Sequence, residues 1–263
     1  MQAIYKMSAS AVMAAMLLSG CSSLNSGSNM NKGNMATVSQ MAPVAQTGFR
    51  YSTAENFDIA NKDRLAKRVF YEEPSTGPDA KWFDAIKKGD LATVKYMVKN
   101  GQNLEAKDSD KQDQTALGWA AFIGYEDIVD YLISEGASVY ATDKGDVYNT
   151  LKSAALGKNT RVVQKLYTII NAQAPIDLND QMVENDGETL IMVAASNNRF
   201  ENVKFLLAKG ANPNLVATTK DTTLYAYDQG AYSYACTRGL VEMQKLLAAN
   251  GAINHRTGKA SCE

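Results

Sequence analysis

One spacing, recurring four times, constrains this chain more than anything else in it. A glycine or asparagine is followed twelve residues later by a glycine: Gly89 and Gly101, Gly124 and Gly136, Asn198 and Gly210, Gly239 and Gly251. A residue that tolerates left-handed backbone is what ends a helix, so each pair brackets a short element. Inside the brackets apolar residues fall at helical spacing, as in Leu91, Val94, Met97 and Val98 or Ile128, Val129, Leu132 and Ile133. The same holds for Val203, Leu206 and Leu207 and for Leu240, Met243, Leu246 and Leu247. Small residues precede the first turn of each unit, at Ala120-Ala121, Ala154-Ala155, Ala194-Ala195 and Ala235-Cys236, so a second helix can approach closely. Self-similarity of this kind means units that stack and bury a face on one another. The prediction is an all-α solenoid of about five helix-turn-helix units over 79–263.

Helix, tight turn, helix, Gly-Ala and an extended finger is the order found in ankyrin repeats, which this region resembles. Thr115, Leu117, Ala120, Ala121, Gly124, Val129, Leu132 and Gly136-Ala137 fall on that family's positions, as do Thr189, Ala194-Ala195, Val203, Leu206-Leu207 and the run from Gly210 to Asn214. The family's Thr-Pro-Leu-His tetrad is nowhere intact, reading Thr-Ala-Leu-Gly at 115–118 and Thr-Thr-Leu-Tyr at 222–225. Trp82, Phe83, Ala85 and Ile86 replace it in the first unit, as befits a capping repeat. The third unit, near 147–170, lacks the Gly-Ala end. In the last unit eight residues are inserted among Tyr225, Tyr227, Tyr232 and Tyr234, either as a longer inner helix or as a bulged loop.

The N-terminus carries a different signal. Lys6 precedes a twelve-residue apolar run at 7–18, too short to span a bilayer, and Leu18-Ser19-Gly20-Cys21 resembles the lipobox of bacterial lipoproteins. That resemblance implies a signal peptide over 1–20, lipidation of Cys21, and anchoring by its acyl chains. Ser22 follows, where an aspartate is associated with inner-membrane retention, so an outer-membrane lipoprotein facing the periplasm is expected. Residues 21–48 read as a lipidated flexible tether, rich in Ser, Asn, Gly, Met and Gln. An N-terminal helix and linker is predicted over 49–78, opened by a capping box at Ser52 and Glu55, with Leu65, Val69 and Phe70 on one side.

Catalysis finds little to work with. His255 is the single histidine, which removes Ser-His triads and multi-histidine zinc sites, and no P-loop or nucleophile elbow is present. Asp108-Ser109-Asp110 begins like a calcium loop but lacks its glycine and closing glutamate, and reads as a solvated finger tip. No cofactor or metal is expected, and a net charge of −1 offers no footprint for nucleic acid. Cys236 and Cys262 are either two reduced thiols or, in an oxidising compartment, a bridge closing roughly 25 residues and worth about 3 kcal/mol.

Binding is the expectation that remains. The resemblance implies use of the fingers and the inner-helix surface, a continuous concave face. The candidates are Phe122 and Ile123 at an inner-helix exit, Arg238 at the equivalent place in the last unit, and the finger residues Gln112, Gln114, Tyr140, Asp186 and Glu188. Phe122 and Ile123 are either interface or packing against the next unit. Tyr225, Tyr227 and Tyr232 are either interface, where rings give large area at small entropy cost, or padding for a local core. The expected partner is another protein. Some ankyrin lipoproteins neutralise a secreted antibacterial effector such as a phospholipase, and that immunity role stands against an envelope scaffold and, in a third class, a periplasmic hydrolase.

Overall fold

In the computed structural model, residues 41–60, 73–141, 143–144, 149–181 and 186–263 are described. The eight bracketing positions all carry left-handed backbone. At Gly124, φ is +96° and a Cβ would meet Asn159 Cβ at 2.8 Å, so both conformation and space require glycine there. Asn198 reaches φ +55°, the conformation that asparagine tolerates better than most side chains.

Eleven α-helices occur among the described residues. A lone helix, α1 (Thr53–Ala60), precedes five pairs. The inner members are α2 (Ala80–Lys88), α4 (Ala116–Ile123), α6 (Thr150–Leu156), α8 (Leu190–Ser196) and α10 (Ala231–Thr237). The outer members are α3 (Leu91–Lys99), α5 (Glu126–Ser134), α7 (Thr160–Gln173), α9 (Phe200–Ala208) and α11 (Val241–Ala249). Inner helices stack on inner and, through the first four units, outer on outer, giving the two-layered solenoid expected of the repeat. Every residue of α4 is buried, as an all-round apolar helix must be. Capping fixes several helix starts: Gly118 N donates to Thr115 Oγ1 at 3.1 Å, and Thr93 N donates to Asp90 Oδ1 at 3.1 Å.

Regularity fails in the third unit. Its outer helix, α7, runs for fourteen residues where the other outer helices have nine, and it ends at Ala174 and Pro175 with no Gly-Ala finger. The core divides at the same place. Trp82, Trp119, Ile128 and Val163 belong to one cluster through the first three units; Leu178, Ile191, Val203, Met243 and Leu247 belong to another in the last two. Tyr167 and Phe205, edge to face at 5.5 Å, and the partly buried Ile176 and Leu190 join them.

The eight inserted residues of the last unit form a loop, and α10 stays seven residues long. The Ala217 amide donates to the Gln229 carbonyl at 2.8 Å, so the loop is closed at its base. Asp228 accepts from Arg256 Nε at 2.7 Å and lies 2.8 Å from His255 Nε2, which pins the loop to the C-terminal tail. Cys236 and Cys262 are joined in a disulfide, with Cα atoms 5.4 Å apart, tying that tail to α10.

The N-terminal segment departs most from expectation. The predicted capping box is present: Ser52 N donates to Glu55 Oε2 at 2.8 Å and Glu55 N to Ser52 Oγ at 3.3 Å. The helix it opens, α1, covers 53–60, and 49–52 is not helical. Residues 61–72, with Leu65, Val69 and Phe70, lie outside the described residues, as do the leader, Cys21 and the tether as far as 40. The last part of the expected tether is held, since Gln46 N donates to Asp90 Oδ2 at 2.7 Å. From there the chain crosses the inner-to-outer turns of successive units. Arg50 pairs with Asp127 at 2.7 Å, Tyr51 stacks on Tyr125 at 5.0 Å, and Asp58 pairs with Lys158. At the fourth unit the Arg199 guanidinium donates to the carbonyls of Asp58 at 3.2 Å and Ile59 at 2.9 Å.

Candidate functional site

Where the repeat breaks, a cleft opens. It has a volume of about 240 Å³ and lies between the C-terminal end of α7, the finger that follows it, and the first turns of α6 and α8. Leu151, Ile170, Ile176, Leu178 and Leu190 give it apolar walls. Tyr140, 46% exposed, and the carboxylates Asp177, Asp180 and Glu188 give it a polar mouth, with Lys152 as the cation among its lining residues.

Glu188 and Thr189 are the chemically unusual members. The Oε1 atom of Glu188 is sealed from solvent and has no hydrogen-bond partner. Burial, assisted by the charge of Asp186, pushes its carboxyl up to about 7, against the opposing pull of Tyr234 and Lys152. Thr189, 2% exposed, holds the N-cap position of α8 without capping it, and its Oγ1 is also without a partner. Both atoms belong to groups that normally find partners when buried.

The other sequence candidates separate by exposure. Tyr225 and Tyr227 are exposed, 49% and 42%, on the inserted loop beside Leu224. Tyr225 stacks on Tyr234 at 5.3 Å, which holds its ring in place. Gln112 is half-buried with φ +61°, and its carbonyl accepts from Lys144 N at 2.7 Å. Arg238 is half-buried and donates to the Ser196 carbonyl, so it serves the junction of the last two units. Phe122, Ile123, Gln114 and Tyr232 are corrections: all four are buried and are not part of an accessible face. Phe122 and Ile123 share a core cluster with Ile59 of α1, a helix that packs against α4. Gln114 Nε2 donates to Ser153 Oγ of the next inner helix at 3.4 Å, and Tyr232 packs in the cluster of the last two units.

Asp108 is a further correction. It is buried and accepts from Ser75 Oγ at 2.9 Å and from Trp119 Nε1 at 3.1 Å, so it anchors the first finger, while Ser109 and Asp110 beside it are exposed as expected of a finger tip. Burial raises its carboxyl above the usual range, against hydrogen bonds from Ser75 and Trp119 and the charge of Lys87. Lys87 is itself buried, 3.3 Å from Asp84 and donating to the Glu73 carbonyl at 2.6 Å. Among the described residues no cluster of three or more His, Cys, Asp or Glu could hold a metal ion, and no helix is long and apolar enough to cross a membrane.

Comparison with known proteins agrees with this architecture. Models for ankyrin repeats match residues 83–133 and 151–258. The chain is 30% identical over 184 residues to ankyrin repeat and KH domain-containing protein mask-1 of Caenorhabditis elegans, covering 70% of this chain and 6% of that protein. It is 33% identical over 84 residues to the palmitoyltransferase AKR1 of Candida glabrata, covering 31% of this chain and 11% of that protein. With AKR1 of Lachancea kluyveri the identity is 27% over 212 residues, covering 66% and 27%. The chain thus spans under a third of each relative's length. The described domain is an ankyrin-repeat solenoid, an architecture that serves to bind other proteins.

Proposed function

We propose that this solenoid captures one protein partner on its finger side, and that it does so as a lipid-anchored protein of the bacterial envelope. The observation that carries the reading is the inserted loop of the last unit. It presents Leu224, Tyr225 and Tyr227 to solvent, 42%, 49% and 42% exposed, on a base closed by backbone hydrogen bonding and pinned by Arg256. Rigid, exposed aromatic side chains are what binding hot spots are made of. The Leu18-Ser19-Gly20-Cys21 sequence supports an anchor on Cys21, and Ser22 after it supports the periplasmic side of the outer membrane.

In its more specific form the reading is immunity: the solenoid binds a secreted antibacterial effector, such as a phospholipase, and blocks it. A membrane tether concentrates such an inhibitor beside a lipid-acting enzyme. A housekeeping envelope scaffold is the second reading, favoured by the same exposed loop if its partner is a resident protein. The test is a pull-down with the full-length chain from periplasmic extract containing candidate effectors, followed by assay of the captured protein. One stoichiometric enzyme, inactive in the complex, is the expected result for immunity. Resident envelope proteins with intact activity point to the scaffold, and no retained protein at all defeats both. As a control, Tyr225→Ala combined with Tyr227→Ala is expected to weaken capture at least about tenfold, since paired aromatic anchors commonly carry more than 1.4 kcal/mol.

A further inference from the structure

We propose that the Cys236–Cys262 disulfide is a redox latch on the inserted loop. Oxidised, it holds the C-terminal tail against Asp228 and keeps Leu224, Tyr225 and Tyr227 in place; reduced by a dithiol, it lets tail and loop go. The consequence for partner capture rests on the protein-binding reading, whereas the latch itself does not.

The tail is held by bonds rather than by buried carbon. Ala252 is the last residue of the chain in the core of the final two units, and Ile253 after it is 44% exposed. From Asn254 the chain turns back on itself, Asn254 N donating to the Lys259 carbonyl at 2.8 Å and Gly258 N to the Asn254 carbonyl at 2.8 Å. A turn of that size with no apolar face to bury is marginal in water, so its position depends on what fastens its end. That fastening is the bond from Cys262 to Cys236 on α10.

The same turn carries the residues that grip the loop. Arg256 donates through Nε to Asp228 Oδ2 at 2.7 Å and through Nη2 to the Asp228 carbonyl, and His255 Nε2 lies 2.8 Å from Asp228 Oδ1. The Arg256 guanidinium, with His255 beside it, holds the Asp228 carboxyl below the usual carboxylate range. Asp228 is also where the loop's path is set. Its backbone is left-handed, with φ +52°, and one residue later the Gln229 carbonyl closes the base by accepting from Ala217 N at 2.8 Å. A residue other than glycine stays in that conformation because its surroundings hold it there. Release of Arg256 removes the hold.

Cys262 is exposed and Cys236 half-buried, so a dithiol meets Cys262 first. Its thiolate bonds to Cys262 Sγ, the S–S bond breaks, and Cys236 leaves as a thiolate that takes up a proton. The second thiol then displaces Cys262 in the same way. The cystine gains two electrons and two protons, and the dithiol leaves as a disulfide.

The experiment is amide hydrogen exchange of the full-length protein with and without dithiothreitol, read over the loop at 215–230 and over α8 and α9. The expected result is exchange at least about tenfold faster across the loop on reduction, the size that loss of charge-assisted hydrogen bonds gives, with α8 and α9 unchanged. Cys262→Ser should show the same acceleration without reductant. Arg256→Ala, its disulfide intact, should show it too, and dithiothreitol should then add little, because bond and grip act in series. Loop exchange that ignores both reduction and Cys262→Ser, a full further acceleration on reducing Arg256→Ala, or faster exchange spread evenly over α8 and α9 would each overturn the latch. Failure of the latch and failure of the protein-binding reading are distinguishable. A protein captured from periplasmic extract by a chain whose loop never opens overturns the latch and leaves that reading standing. A loop that opens in a chain that captures nothing supports the latch and overturns the reading. Capture by the oxidised chain that is lost in Cys262→Ser supports both.

Discussion

The second and fourth units reach their inner helices through the same two positions, a long polar side chain and then a threonine. In the second unit Thr115 Oγ1 accepts from Gly118 N at 3.1 Å, and Gln114 reaches across to Ser153. In the fourth, Thr189 caps nothing and Glu188 Oε1 has no partner. One difference lies three residues past the threonine. A Cβ at Gly118 would meet Gln114 Oε1 at 2.8 Å, and Met192 carries that Cβ in the fourth unit. The other lies outside the unit, where α7 overruns and the preceding finger is replaced by Pro175 and its neighbours, leaving space in front of Glu188. Equivalent positions thus bond within the fold in one unit and leave a carboxylate oxygen and a hydroxyl without a bond in the other.

Substitutions can break this contrast, starting with the largest effect. Trp119→Ala in the second unit should cost about 3–5 kcal/mol in urea unfolding, since a fully buried indole and its bond to Asp108 are lost together. The structurally equivalent Val193→Ala in the fourth should cost about 2 kcal/mol. Equal losses would mean the two units are held in the same way.

Next in size is a pH effect. The Glu188 carboxyl is raised from 4.5 to about 7, so the folded state keeps a proton that the unfolded chain releases. Its contribution to stability is fully present below pH 4.5 and is lost as pH rises through about 7, a fall of up to about 3 kcal/mol. Glu188→Gln should flatten this part of the stability profile measured by thermal melts from pH 4 to 8. A smaller slope of the same sign, from Asp108, should remain. An unchanged slope would place Glu188 in solvent. Smallest is the capping pair: Thr115→Ala should cost about 1 kcal/mol and Thr189→Ala under about 0.5 kcal/mol. A reversal would show that Thr189 caps α8 in solution.

Much of the scaffold was legible before any coordinates. The Gly and Asn positions twelve apart carry the left-handed backbone they were read to carry, and four of the five outer helices follow from the apolar spacing between them. The surface was less legible, for a physical reason. Helical spacing tells which side of a helix is apolar but not what covers its end, so Phe122 and Ile123 read equally as interface or as packing, and both are buried in the core. The contacts that hold α1, from Arg50 to Asp127 and from Arg199 to Asp58 and Ile59, join residues far apart in the chain and leave no periodic trace. Tyr140 and Glu188 were recognised as finger residues, but the cleft between them depends on how far α7 runs. Its trace in the sequence is an omission, the missing Gly-Ala of the third unit, together with Pro175.

A stack of repeats is mechanically a bent spring, able to open or tighten because small rotations between neighbours add up along its length. The segment from Gln46 to Ile59 lies across that spring as a chord, tied at one end to Asp90 and at the other to Arg199. Burial brings the Arg199 guanidinium down to about 10, against the charge of Asp58, so lifting the segment away would leave a buried cation without the carbonyls of Asp58 and Ile59, which is costly. A chord fixed at both ends limits how far the arc can straighten. That chord spans the first four units, while the tail of the last is tied back to α10 by the Cys236–Cys262 bond.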